Sequence, residues 1–126
     1  PSINQVEYHV GSQDVDNVRE TCAQLGITFM SFSPLCGPCE LESPEDSLLN
    51  GTLVRDIASH YEGVIPSQVA LRFIVQQGIP VIPKSNNPSH IASNRDIFRF
   101  ELSADDMATL QAATKPAAEA GDCQIA

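Results

Sequence analysis

The residues best suited to chemistry lie in one run, Val81-Ile82-Pro83-Lys84-Ser85-Asn86-Asn87-Pro88-Ser89-His90-Ile91-Ala92-Ser93-Asn94. It reads as a short buried strand that ends in a cation and a hydroxyl, turns through two asparagines and enters a helix. Asn87 is a good helix cap, and Pro88 sits at the first helical position, where its missing N–H is not needed. Lys84 supplies a point charge, Ser85 a hydroxyl donor, and the amides near Asn86 and Asn87 further donors at a helix N-terminus. Such a set holds an anionic oxygen cluster, and phosphate is the natural candidate. Spacing alone also allows a plainer arrangement, with Lys84 a solvated strand end and Asn87 only a cap.

Two other groups invite a chemical reading. Cys36-Gly37-Pro38-Cys39 has the spacing of a thioredoxin-type dithiol, in which a helix N-terminus lowers the pKa of the first thiol. A strand precedes it, and Gly78-Ile79-Pro80 is similar to the Gly-Ile-Pro that borders such sites. The following Glu40-Leu41-Glu42-Ser43-Pro44 does not continue as a long amphipathic helix, and acidic neighbours raise a thiol pKa. The histidines His9, His60 and His90 match no compact metal-ligand spacing, so no metal site is expected and each is read as a surface or hydrogen-bonded residue. Cys123-Gln124-Ile125-Ala126 occupies the position of a prenylation signal, but Gln124 fits poorly and no basic stretch precedes it.

Strands and helices alternate along the chain. Ile3, Val6, Tyr8 and Val10 mark a first strand, closed by Gly11-Ser12. From Gln13 to Leu25, Val15, Val18, Cys22 and Leu25 recur at helical spacing, and Gly26 is placed to end the helix. Ile27 to Phe32 reads as a second strand. A long polar loop to Gly51 carries Glu40, Glu42, Glu45 and Asp46. Leu53, Val54, Ile57, Ala58 and Tyr61 share one face of the next helix. Pro66 opens another, with Val69, Ala70, Phe73 and Ile74 as its buried stripe, and Gly78 stops it before a third strand, Ile79 to Pro83. Ile97-Phe98-Arg99-Phe100 reads as a core anchor, and Ser103 with Asp106 as a capping box for a last helix. Residues 115–126 form an alanine-containing tail expected to be mobile.

Strands each followed by helical sequence imply a parallel sheet with crossover helices. Three such strands need cover on both faces and neighbours at both edges. The chain therefore looks like an arc of a barrel or sheet within a longer protein, and its start at Pro1, already close to a strand, agrees.

The formal net charge of -9 and pI near 4.5 argue against nucleic acid or an anionic membrane as main partner. Positive charge is local, with Lys84, Arg95 and Arg99 near the candidate phosphate site. No apolar run spans a bilayer and no signal-peptide pattern begins the chain, so a cytoplasmic protein is expected.

Several segments together resemble the aldo-keto reductase family. Asn4-Gln5-Val6-Glu7-Tyr8-His9 is similar to the motif of the family's sixth strand. Gly26-Ile27 through Ser33-Pro34-Leu35 resembles the seventh strand and its loop. Gln68-Val69-Ala70-Leu71-Arg72-Phe73 followed by Val81-Ile82-Pro83-Lys84-Ser85 resembles the signature that leads into the eighth. Phe98-Arg99-Phe100-Glu101-Leu102-Ser103 with Asp106-Met107 resembles the last segment. The match runs in order through residues 1–114.

The resemblance implies a partial (β/α)8 barrel, its C-terminal arc, with sites at the C-terminal ends of the strands. It also implies an NADP(H)-dependent oxidoreductase that reduces aldehydes or ketones to alcohols. By the same resemblance Gln5 would hydrogen-bond the nicotinamide carboxamide, and Phe32 would stack on its ring in place of the usual tyrosine. Ser33 and Leu35 would lie along the pyrophosphate, Lys84, Ser85 and Asn86 around the 2′-phosphate, and Asn94 at the adenine. His90 stands where the family commonly has arginine, and Ser93 where it has glutamate. Loss of a bidentate, permanently charged contact weakens preference for NADP over NAD, and makes it pH-sensitive if His90 takes part.

The family's catalytic aspartate, tyrosine, lysine and histidine come from earlier strands, so no catalytic residue is assigned and the isolated chain is expected to be inactive. The alternatives are a thiol-disulfide protein using Cys36 and Cys39, and a non-catalytic remnant that self-associates or joins a complementing N-terminal segment.

Overall fold

The computed structural model describes residues 1–14, 16–36 and 48–113. The acidic loop cluster, Cys39, Val15 and the tail beyond Ala113 lie outside the described residues.

The backbone runs through β1 (Ile3–Glu7), α1 (Val18–Gln24), β2 (Thr28–Phe32), α2 (Thr52–Ala58), α3 (Pro66–Val75), α4 (Pro88–Arg95) and α5 (Ala104–Ala112). Strands β1 and β2 pair in parallel, with Ile3 opposite Thr28 and Glu7 opposite Phe32. The segment read as a third strand joins through a single parallel bridge, Val81 to Ser31. Its bonds are Ser31 N–H to the Pro80 carbonyl at 2.8 Å and Ile82 N–H to the Ser31 carbonyl at 3.1 Å. Pro80 and Pro83 flank that bridge, and neither can donate to a ladder, which limits pairing to the residues between them.

Local chemistry explains the helix limits. The Asp14 carboxylate accepts the N–H groups of Val18 and Arg19, each at 2.9 Å, and so starts α1 after a turn. At the other end Gly26 adopts φ +68°, which lets Ile27 N–H reach the Cys22 carbonyl at 2.8 Å and Gly26 N–H reach Ala23 at 3.2 Å. This paired termination needs a left-handed residue, the conformation glycine adopts most readily. Leu25, expected inside the stripe, sits at this terminus and is 68% exposed.

Strand alternation sends side chains to two faces. Asn4, Val6, Phe29 and Ser31 face the helices. There the Tyr8 ring meets Phe29 edge-on at 5.7 Å and stacks on Phe73 of α3 at 6.5 Å. Val54, Ile57, Val69, Ala70, Phe73, Ile74 and Leu110 complete that core. Gln5, Glu7, Met30 and Phe32 line the opposite face, with Ile82 beside Phe32 by register. Ile3 and Ile82 on that face are both exposed.

The expected core anchor is divided. Ile97 is buried, whereas Phe98 is 73% exposed and lines an open apolar cleft with Val81, Pro83 and Ile91. Among the described residues no helix is long and apolar enough to cross a membrane.

Candidate cofactor-binding site

The residues singled out in sequence fall on two regions of the fold. Gln5 and Phe32 share the open face of the sheet, since Gln5 pairs with Met30 and Phe32 lies two residues further on. Gln5 is exposed and Phe32 half-buried, so a planar group on this face can meet both an amide and a ring.

Immediately after β2 the chain turns sharply. Ser33 and Cys36 both adopt left-handed backbone, at φ +47° and +68°, and Cys36 N–H donates to the Ser33 carbonyl at 2.9 Å. Such conformations are uncommon for non-glycine residues and concentrate at ligand sites. Pro34 is buried beneath the turn, while Ser33 and Leu35 are partly accessible. The Cys36 thiol is buried, and burial together with the Glu7 carboxylate pushes its pKa up to about 11. A thiol so placed is a poor nucleophile at neutral pH, which weighs against a dithiol mechanism. At the end of β1, His9 is also buried. Its Nδ1 donates to the Val10 carbonyl at 2.9 Å, and its Nε2 lies 3.7 Å from a Glu7 carboxylate oxygen.

The second region is the entry to α4. Asn87 caps the helix, its side-chain oxygen accepting Ser89 N–H at 2.9 Å, and Pro88 occupies the first turn. Asn87 N–H donates to Ser85 Oγ at 3.1 Å, which fixes that hydroxyl beside the helix entrance. Lys84, Asn86 and His90 are exposed, and Ser85 and Asn94 are partly buried. These side chains form an accessible set of one ammonium, one hydroxyl, amides and an imidazole. Their chemistry fits an anionic oxygen cluster such as a phosphate.

His60 follows α2 in the chain, with Nδ1 at 3.0 Å from Asp106 of α5. Among the described residues no group of three or more histidine, cysteine or acidic side chains could hold a metal ion. The capping box expected at Ser103 is half-formed. Ser103 Oγ accepts Asp106 N–H at 3.1 Å, but the Asp106 carboxylate turns to His60 and to the Tyr61 hydroxyl.

Sequence reading gave Gln68 no role of its own. It is buried at the start of α3, its Oε1 accepting Ile65 N–H at 3.1 Å, and its Nε2 donating to the carbonyls of Ser93 at 3.1 Å and Asp96 at 3.0 Å. The available signal was polar residues at Gln68, Arg72 and Gln76, four apart on a helix otherwise committed to the core.

The family model described as Aldo/keto reductase family matches residues 1–115. An aldo-keto reductase of Mycolicibacterium smegmatis is 39% identical over 112 residues, covering 87% of this chain and 36% of that protein. The (1S)-1,7-diacetoxy-luvungin A aldo-keto reductase of Citrus sinensis is 36% identical over 111 residues, covering 88% of this chain and 34% of its own length. Among solved structures, Gox0644 without ligand superposes with TM-score 0.78 at 31% identity, covering 100% of this chain and 41% of that one. A variant of Gox0644 in complex with NADPH gives TM-score 0.74 at 35% identity, covering 88% and 37%. The chain thus spans about a third of the length of the relatives it matches, and its parallel arc corresponds to part of their (β/α)8 barrels. Family model, relatives and superposed structures agree over nearly the whole chain, and it belongs to the aldo/keto reductase family.

Proposed function

We propose that this chain is the NADP(H)-binding part of an oxidoreductase that interconverts carbonyl compounds and alcohols. One observation carries the reading: parallel pairing puts Gln5 and Phe32 on the same open face, while the next segment of the sheet leads directly into Lys84, Ser85 and the capped start of α4. The first pair suits a nicotinamide, the second set a 2′-phosphate, and the turn at Ser33 to Leu35 the pyrophosphate between them. Asn94 and His90 then serve the adenine and the phosphate edge.

When bound, such a dinucleotide would supply hydride for a small aldehyde or ketone. The residues named here bind and orient it, and none is assigned as the proton donor such a reduction requires. That donor belongs to the rest of the barrel, whose strands would cover the open face and both sheet edges. A complementing N-terminal segment fits those edges, and self-association is the competing way to cover them.

The test is calorimetric titration of the 126-residue chain with adenosine 2′,5′-bisphosphate and with 5′-AMP, before and after Lys84→Ala. The expected result is tighter binding of the bisphosphate and loss of that preference in the variant. Equal binding of both nucleotides by the unmodified chain would overturn the phosphate assignment. Steady reduction of an aldehyde by NADPH at an enzyme-like rate would overturn the expected inactivity of the chain alone.

A further inference from the structure

α4 carries much of the proposed cofactor grip, yet none of its side chains is buried. Apolar packing therefore contributes little to holding its last turn in place. What α3 and its C-cap offer instead is a polar stripe, Gln68, Arg72 and Gln76, spaced one helical turn apart and directed at the backbone between Ser93 and Leu102. Gln76 exchanges two hydrogen bonds with the N–H and carbonyl of Leu102, each at 2.9 Å. Arg72 donates to the Ile97 carbonyl at 3.3 Å and to Gln76 at 2.9 Å. Gln68 alone reaches α4, through the Ser93 carbonyl in its last turn and the Asp96 carbonyl at its C-terminal cap.

The Ser93 carbonyl also accepts Asp96 N–H at 3.1 Å, so Gln68 adds a second hydrogen bond there, whereas the Asp96 carbonyl lies past the helix end, where C=O groups lack partners within the helix. A buried amide that donates to both fixes the position of the helix end, because a shift of α4 would leave the buried Gln68 Nε2 without its acceptors. The geometry also fixes the orientation of the amide. Carbonyls only accept, so Nε2 must face them, and Oε1 is left for Ile65 N–H.

We infer that Gln68 is a positioning residue for the cofactor grip, holding α4 at the angle at which His90 and Asn94 can meet the dinucleotide. This rests on the NADP(H) reading for its functional consequence, but the mechanical part stands on the hydrogen bonds alone. Gln68 touches no ligand in this scheme; it acts through the helix.

The experiment compares Gln68→Ala with Gln76→Ala, which cuts the same stripe away from α4. Adenosine 2′,5′-bisphosphate binding and amide hydrogen exchange are measured on each. Gln68→Ala is expected to weaken binding about tenfold and Gln76→Ala by less than about twofold. Exchange at the amides of residues 92–96 should accelerate in Gln68→Ala only. Equal effects of the two variants on binding and on α4 exchange would reduce Gln68 to a general stabiliser and overturn the inference. So would wild-type α4 exchange in Gln68→Ala.

Should the unmodified chain fail to bind the bisphosphate, the cofactor reading falls, and the exchange comparison still decides whether Gln68 positions α4. Should Gln68→Ala not fold, Gln68→Glu serves in its place, since it keeps the acceptor for Ile65 N–H and loses both donors. The same outcomes apply to it.

Discussion

The Tyr61 hydroxyl donates to the Asp106 carboxylate and at the same time accepts Ser103 N–H at 2.8 Å, so one phenol ties the turn after α2 to the first turn of α5. His60 reinforces the same carboxylate at 3.0 Å. Burial alone would raise the Asp106 pKa. The hydrogen bonds from Tyr61, His60 and Ser103, with the His60 charge, outweigh it and hold the carboxyl below its ordinary range. A depressed folded-state pKa contributes stability that is present above the unfolded value, about 3.9, and is lost as pH falls through the folded one. Urea midpoints measured from pH 7 downward should fall below about pH 4, and Asp106→Asn should lower the midpoint at pH 7 while flattening that acid limb. An unchanged acid limb in the variant would place the acid sensitivity elsewhere.

Cys36 gives a prediction about reactivity. With its thiol pushed up to about 11 by burial and by Glu7, native chain should alkylate at this position far more slowly at pH 7.5 than urea-unfolded chain does. Insulin reduction should be absent both before and after Cys36→Ser. Rapid native alkylation combined with activity lost in the variant would restore the dithiol mechanism.

The cap at Asn87 is testable by a pair of substitutions. Asn87→Ala removes the acceptor of Ser89 N–H and should cost about 1 kcal/mol of α4 stability, whereas Asn87→Asp should be near neutral. Hydrogen exchange across residues 89–93 reads the difference. Equal exchange in both variants would show that the cap is not what starts the helix.

Phe73 anchors the face of the sheet against α3, in contact with the Tyr8 ring and 2% exposed. Phe73→Ala should cost roughly 3–5 kcal/mol, a large fraction of the stability of a chain this size, and move the urea midpoint far down. Circular dichroism and urea unfolding check this, and a cooperative transition close to that of the unmodified chain would contradict the packing described.

Much of this architecture is legible locally. The Asn87 and Ser103 caps, the glycine stop at Gly26 and the stripe Val69, Ala70, Phe73, Ile74 are written in neighbouring residues, and they hold. Phe98 and Leu25 mislead for a shared reason: an apolar residue beside a buried one is assigned to the core by composition, while the backbone at a helix end or tight bend turns it outward.

The order of strands and helices, the parallel topology and family membership are therefore determined by sequence alone, because periodicity, capping and motif spacing act over a few residues and survive without the rest of the fold. Tertiary structure decided the other features. It put Gln5 and Phe32 on one open face, confined Val81 to a single bridge, turned Asp106 from its own cap toward His60 and Tyr61, and aimed Gln68 at α4. Each depends on partners 25 to 50 residues away in the chain, and a hydrogen bond across that distance exists only once packing has brought both groups out of water together.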